Sequence, residues 1–184
     1  MSGYKKFGYD LLPVTAGVLL ALFISNTQQS WKQKKFTDQV MQTIVEENKA
    51  NIAQIDSLLQ KQYRTLDTLA YYTDSTNITI VDVIRKVNGL STPDIINNGA
   101  DFLLKGNQTV IDVDLLMKLA KINEAIENYD MALNQVTSGL YNDVYSAEPN
   151  DKRKLQLLLS DIMNYERTIK VLSEDFNEGF KDKN

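Results

Sequence analysis

The chain has no cysteine and no histidine in its 184 residues. That removes disulfides, thiolate nucleophiles, Cys/His zinc sites and every mechanism needing an imidazole base. The Glu-x-x-His element of di-iron bundles is missing for the same reason. Phosphate-cradling glycine loops, dinucleotide fingerprints and nucleophile elbows are absent too. The sequence therefore reads as a non-enzyme, with no catalytic residue, no metal site and no cofactor. Glycine (8) and proline (3) are scarce, so breakers are few and long helices are favoured. The missing cysteine fits an oxidising periplasm without requiring one.

The net charge is −4, and it is unevenly spread. Residues 1–35 hold five lysines against Asp10 alone, which leaves 15 basic and 23 acidic residues, a net −8, in the remainder. An acidic body of this kind argues against nucleic acid as a partner, because phosphate neutralisation needs a basic face.

Only one long apolar run exists, LLPVTAGVLLALFI over residues 11–24. At ~1.5 Å per residue it covers about 21 Å of a ~30 Å hydrocarbon core, so a transmembrane helix must extend over 7–25. Its apolar surface comes from Leu11, Leu12, Val14, Val18, Leu19, Leu20, Leu22, Phe23 and Ile24. Lys5, Lys6, Trp31, Lys32, Lys34 and Lys35 flank it as interface anchors. Pro13 falls in the first turn, where a missing N–H costs little. Gly17 and Ala21 form a small-xxx-small pair that admits a close helix neighbour in the membrane, although small residues also occur in apolar helices without such a role. A cleaved signal peptide and a buried core helix are the competing readings; SNTQQSW lacks an A-x-A-like cleavage site, and the three lysines after it resemble a stop-transfer flank. The lysines on the two sides nearly balance, and the orientation adopted places the N-terminus inside and the domain in the periplasm.

Beyond the span, Met41, Val45, Asn48, Ile52, Ile55, Leu59, Gln62, Leu66 and Leu69 alternate spacings of four and three, the signature of a helix with one packed stripe. This helix should reach about Tyr72. A turn-rich TDSTN and a short apolar element closed by Asn88 and Gly89 follow. Thr92-Pro93-Asp94 reads as a helix start, with a break near Gly99 and a stop at Gly106. Two more long stripes run through Leu115, Leu119, Ile122, Ile126, Tyr129, Leu133, Val136, Leu140 and through Leu155, Leu158, Ile162, Tyr165, Ile169, Leu172, Phe176. The short SAEPND connection makes that pair antiparallel. The expected fold class is all-α: a transmembrane helix continuing into an antiparallel bundle of three long helices plus short segments. Its parts are a polar tail (1–6), the span (7–25), a basic juxtamembrane stalk (26–40), the bundle (41–178) and a frayed tail (179–184).

Polar residues at packed positions, Asn48 and Gln62, more often fix register or partner number than bind a ligand. Glu46 and Glu47 are adjacent, so they face different ways on a helix and cannot form a carboxylate pair. Nine tyrosines are many for this length. Tyr71, Tyr72, Ile78, Ile80 and Val83 are the candidate partner surface, at the least regular part of the chain.

The segments LLALFISN, WKQKKF, VMQTIVEENKANIAQIDSLL and GADFLLKGNQTVIDVDLLMKLAKINEAIENYD together resemble an uncharacterised family of small single-span proteins of Bacteroidetes. Its members have an apolar N-terminal helix, a basic flank and a helical domain; Asp10 and Pro13 depart from its commoner Gly-Glu-rich opening. The resemblance implies an architecture and a membrane address, with no activity attached. The expected function is a membrane-anchored structural or interaction subunit that docks on a larger membrane or envelope complex; the alternative is a tethered bundle that senses a small ligand. Its expected partners are membrane lipid, a protein, and a second copy of the chain joined through the long first helix.

Overall fold

A computed structural model describes the backbone of residues 3–106 and 111–182, and side chains from residue 25 onward together with that of Phe23. Among these residues it is all-α, with α1 Gly3–Tyr71, α2 Ile80–Lys86, α3 Asn98–Lys105, α4 Val113–Asp143 and α5 Pro149–Lys181. The chain divides into two units, Met1–Met41 and Gln42–Asn184.

The first unit is the N-terminal part of α1. Phe23 and Trp31 are 72% and 77% exposed, and Lys32, Lys34 and Lys35 are exposed beside them. No helix is long and apolar enough to cross a membrane among the described residues. Apart from Phe23, the side chains named for the span, Gly17 and Ala21, and the flanking Lys5 and Lys6 lie outside the described ones.

The second unit holds the rest of α1 with α2–α5. Each helix has an identifiable start. In α2, Thr79 and Asp82 form a capping box, and the N–H groups of Ile80 and Val81 donate to Ser146 O and Val144 O at 3.0 and 2.8 Å. Two donors that a helix start leaves unpaired are thereby satisfied by the α4–α5 loop. Asp112 caps α4 through the N–H groups of Asp114 and Leu115, and proline stands in the first turn of α5. Helix α2 ends on Asn88 and Gly89, both at positive φ (58° and 86°).

Helices α4 and α5 pack against each other as an antiparallel pair. Leu119 and Ile122 from α4 and Ile162, Ile169 and Phe176 from α5 are at most 1% exposed. Three expectations need correction. Residues 90–97 are not helical, and α3 begins only at Asn98; the reason lies in the side chains that hold this segment, described below. Gly99 does not break a helix but sits in the first turn of α3, where a Cβ would lie 2.6 Å from Ile44 Cγ1. The tail does not fray at 179, since α5 runs to Lys181 and the Phe180 ring stacks on Phe176 with centroids 6.5 Å apart.

Candidate functional site

Extended backbone exposes its N–H and C=O groups, and in a β protein a neighbouring strand would take them. Here α1 takes them with side chains. Glu47, Asn51, Gln54 and Lys61 recur at helical spacing on one side of α1, facing residues 88–99. Glu47 Oε2 accepts from Gly99 N–H at 2.9 Å, which places a carboxylate at the N-terminus of α3. Asn51 donates to Ile96 O at 2.8 Å and accepts from Ile96 N–H at 2.9 Å. Gln54 Oε1 accepts from Asp94 N–H at 3.0 Å. Lys61 Nζ donates to Ser91 Oγ and Asn88 O at 2.6 and 3.2 Å. From the other side the Tyr129 hydroxyl of α4 donates to Pro93 O at 2.7 Å. With its polar groups so engaged, the segment gains nothing by coiling into a helix.

The next residue of α1 enters the core. Gln62 Nε2 donates to Ser91 O at 3.3 Å and to Glu166 Oε1 of α5 at 2.9 Å. Glu166 is 1% exposed, and burial pushes its carboxyl up to about 7 despite the opposing pull of the Gln62 hydrogen bond. The Tyr129 phenol is pushed up first by burial and then by the charge of Glu166. A second polar bridge, Asn48 Nδ2 to Asn177 Oδ1 at 3.2 Å, joins α1 to α5 lower down. Lys170 pairs with Asp56 at 2.6 Å at the solvent edge.

A buried lysine closes the end of the bundle. Lys152 of α5, fully buried, donates to Tyr72 O and Ser75 O at 3.0 and 2.5 Å. It supplies positive charge where α1 stops, as a helix C-terminus favours. Burial lowers its pKa, opposed by Asp74 and Glu148.

The residues singled out as a partner surface separate. Tyr71 is 79% exposed, whereas Ile80 and Val83 are 1% and 0% exposed; the latter two are core residues, because α2 turns its apolar face inward to cover the bundle. Tyr72 is half-buried under Lys86, whose Nζ lies 5.2 Å from the ring centroid, and Ile78 is half-buried. Tyr141 and Tyr145 are 90% and 78% exposed. They belong to the same end as Tyr71, since Lys152 and the α2–loop hydrogen bonds bring the ends of α1 and α4 to the start of α5. Asn48 and Gln62, read as register residues, are both buried, and each hydrogen-bonds a side chain of α5.

Glu166, Lys152 and Asn51 went unrecognised in the sequence, and Glu47 was weighed only as half of a carboxylate pair. Among the described residues no group of three or more Asp or Glu is placed to hold a metal ion. The cavity beside Gln62, lined also by Thr65, Ser91 and Met163, has a volume of about 20 Å³, and another at the α4–α5 loop about 10 Å³; each has room for about one water. What this interior does is hold α1 and α5 in register through buried polar pairs. No protein-family model, curated protein or solved structure matches the chain.

Proposed function

We propose that this is a membrane-anchored interaction subunit whose helical domain docks on a larger membrane or envelope complex. The observation that carries the docking role is the end of the bundle where Tyr71, Tyr141 and Tyr145 are each more than three-quarters exposed. Tyrosine gives large contact area at low cost in side-chain entropy and is enriched at protein interfaces. The anchoring role rests on the apolar run 11–24, with exposed Trp31, Lys32, Lys34 and Lys35 after it in the pattern of an interfacial belt. A periplasmic domain and the architecture of the Bacteroidetes family it resembles belong to the same reading. Ligand sensing draws no support from interior cavities of 20 and 10 Å³, against several hundred Å³ for an ordinary small-molecule site.

The test is to place a photo-crosslinking amino acid at Tyr71, Tyr141 or Tyr145, and at Arg167 on the long side as a control, in the tagged full-length chain in its native membrane. One cross-linked protein shared by the three tyrosine positions and missing from the control is expected. Labelling no different from the control would refute the docking face, and release of the chain from membranes by alkaline carbonate would refute the anchor.

A further inference from the structure

Two buried polar atoms of the α1–α5 bridge lack a partner: Gln62 Oε1 and Glu166 Oε2. They belong to the same two side chains that already share the Gln62 Nε2 to Glu166 Oε1 hydrogen bond. The orientation of the amide is fixed by its surroundings, because Ser91 O can only accept and Gln62 Nε2 donates to it. One amide hydrogen goes to Ser91 and the other to Glu166, which leaves Oε1 as a pure acceptor. An ionised carboxylate has no hydrogen to offer it, and the two orphans would be two buried acceptors.

We propose that Glu166 is a proton-binding site, carried in the folded chain as the neutral acid, whose Oε2–H donates to Gln62 Oε1 and closes a two-bond acid–amide pair between α1 and α5. A single proton then satisfies both orphans. No charged group facing the pair replaces it. On α1, Lys61 is held by Asn88 and Ser91. On α5, Arg167 reaches Tyr63, and Lys170 pairs with Asp56. On α4, Tyr129 donates to Pro93, and Asp130 is acidic, as is Asp94 on the extended segment; both carry the same charge as an ionised Glu166. Among the described residues no cation pairs with this carboxyl.

The bridge therefore weakens on deprotonation, which removes the Oε2–H donor and leaves a buried carboxylate held by Gln62 Nε2 alone. The carboxyl is raised from an ordinary 4.5 to about 7 in the folded chain, so the folded state holds its proton where the unfolded state has lost it. Its stabilisation is complete below the unfolded value and is lost as pH rises through the folded one.

Glu166→Gln tests this, because the amide reproduces the neutral acid: it donates to Gln62 Oε1 and accepts from Gln62 Nε2 with no proton to lose. Thermal midpoints of the full-length chain and the variant, in the same mild detergent, are to be compared at about pH 5 and about pH 8. The wild-type midpoint should fall relative to the variant by roughly 5 °C or more between the two, and the difference cancels every other titrating group. The Glu166 side-chain carboxyl carbon, labelled with ¹³C and assigned by its disappearance in the variant, should titrate near neutrality. Parallel midpoints together with a carbon that titrates in the ordinary glutamate range would overturn the proposal. Should the variant fail to fold, the carbon titration of the wild-type chain decides alone.

Discussion

Helix α4 and helix α5 bury comparable lengths of chain in opposite ways. The buried face of α4 is Leu115, Leu119, Ile122, Ala125, Ile126, Tyr129, Ala132 and Val136, and its single polar atom, the tyrosine hydroxyl, is satisfied by Pro93. The buried face of α5 interleaves Leu155, Ile162, Ile169 and Phe176 with Lys152, Glu166, Ser173 and Asn177. Burial of apolar area is non-directional, so the α4 face supplies cohesion and accepts small slips of register. Three of these four polar groups meet their partners at one height each, Lys152 at the end of α1, Glu166 at Gln62 and Asn177 at Asn48, while the Ser173 hydroxyl has none. A slip of one turn leaves all three unpaired, so α5 supplies the register.

The contrast breaks most severely on the apolar side. Ile122→Ala removes three carbons from a site 1% exposed, and about 3 kcal/mol of unfolding free energy should disappear. Chemical denaturation of the full-length chain reads it as a lower midpoint at unchanged slope. A loss under about 1 kcal/mol would mean that α4 can collapse around the gap and is less tightly packed than its burial implies.

Next comes Gly99→Ala, where the new Cβ meets Ile44 Cγ1 at 2.6 Å and Glu47 Oε2 at 3.1 Å. Overpacking of this kind costs about 2 kcal/mol, and it separates α3 from the side chains of α1 that hold it. Gly139→Ala is its counterpart in α4, with only Leu158 Cδ1 at 3.8 Å nearby. There a helical alanine should stabilise by about 0.5 kcal/mol. Equal destabilisation at both positions would show that backbone freedom, rather than the close approach of α3 to α1, decides the effect at Gly99.

These two faces were not equally readable from the sequence. The stripe on α4 follows the apolar residues directly, and the expected positions are the buried ones apart from half-buried Leu133 and Leu140. On α5 the spacing rule alone leaves two adjacent stripes, Leu158, Tyr165, Leu172 or Leu159, Glu166, Ser173, each completing the run through Leu155, Ile162, Ile169 and Phe176. Hydrophobicity favours the first, but the second is buried and the first half-buried. Glutamate occupies a core position because α1 offers Gln62 opposite, a fact of tertiary pairing that no single helix records, and Ser173 is buried on the same stripe with its hydroxyl unpartnered. The same slip of one residue hides Asn51 and Thr65 behind Ile52 and Leu66. Thr92-Pro93-Asp94 misled for a related reason: the local signal for a helix start is genuine, and side chains forty residues earlier override it. Glu166 remained visible in principle, as a carboxylate four residues after one core isoleucine and three before another.

Asn51→Ala tests that override directly. Both backbone groups of Ile96 lose their partner, and a cost of about 1.5 kcal/mol is expected. Amide exchange at Ile96 and its neighbours should accelerate while exchange within α4 stays unchanged. Uniform acceleration across the unit would instead make the extended segment part of one cooperative core.

The smallest free-energy effect should separate register from stability. Asn48 and Asn177 are 4% and 8% exposed and share one hydrogen bond, from Asn48 Nδ2 to Asn177 Oδ1. Replacing one by leucine strands the other's amide in the core at about 1–2 kcal/mol, whereas replacing both exchanges a hydrogen bond for apolar contact between side chains of the same branching. The double variant should lie within about 1 kcal/mol of wild type, and a double-mutant cycle should return a coupling of about 1 kcal/mol or more. What it should lose is uniqueness: with that bridge gone, Glu166 and Lys152 are the buried polar groups left to fix the height of α5, and amide resonances near residue 177 should broaden or double. A double variant as unstable as the two single changes added together would mean that the pair contributes cohesion like α4, and the division of labour between the two helices would fall.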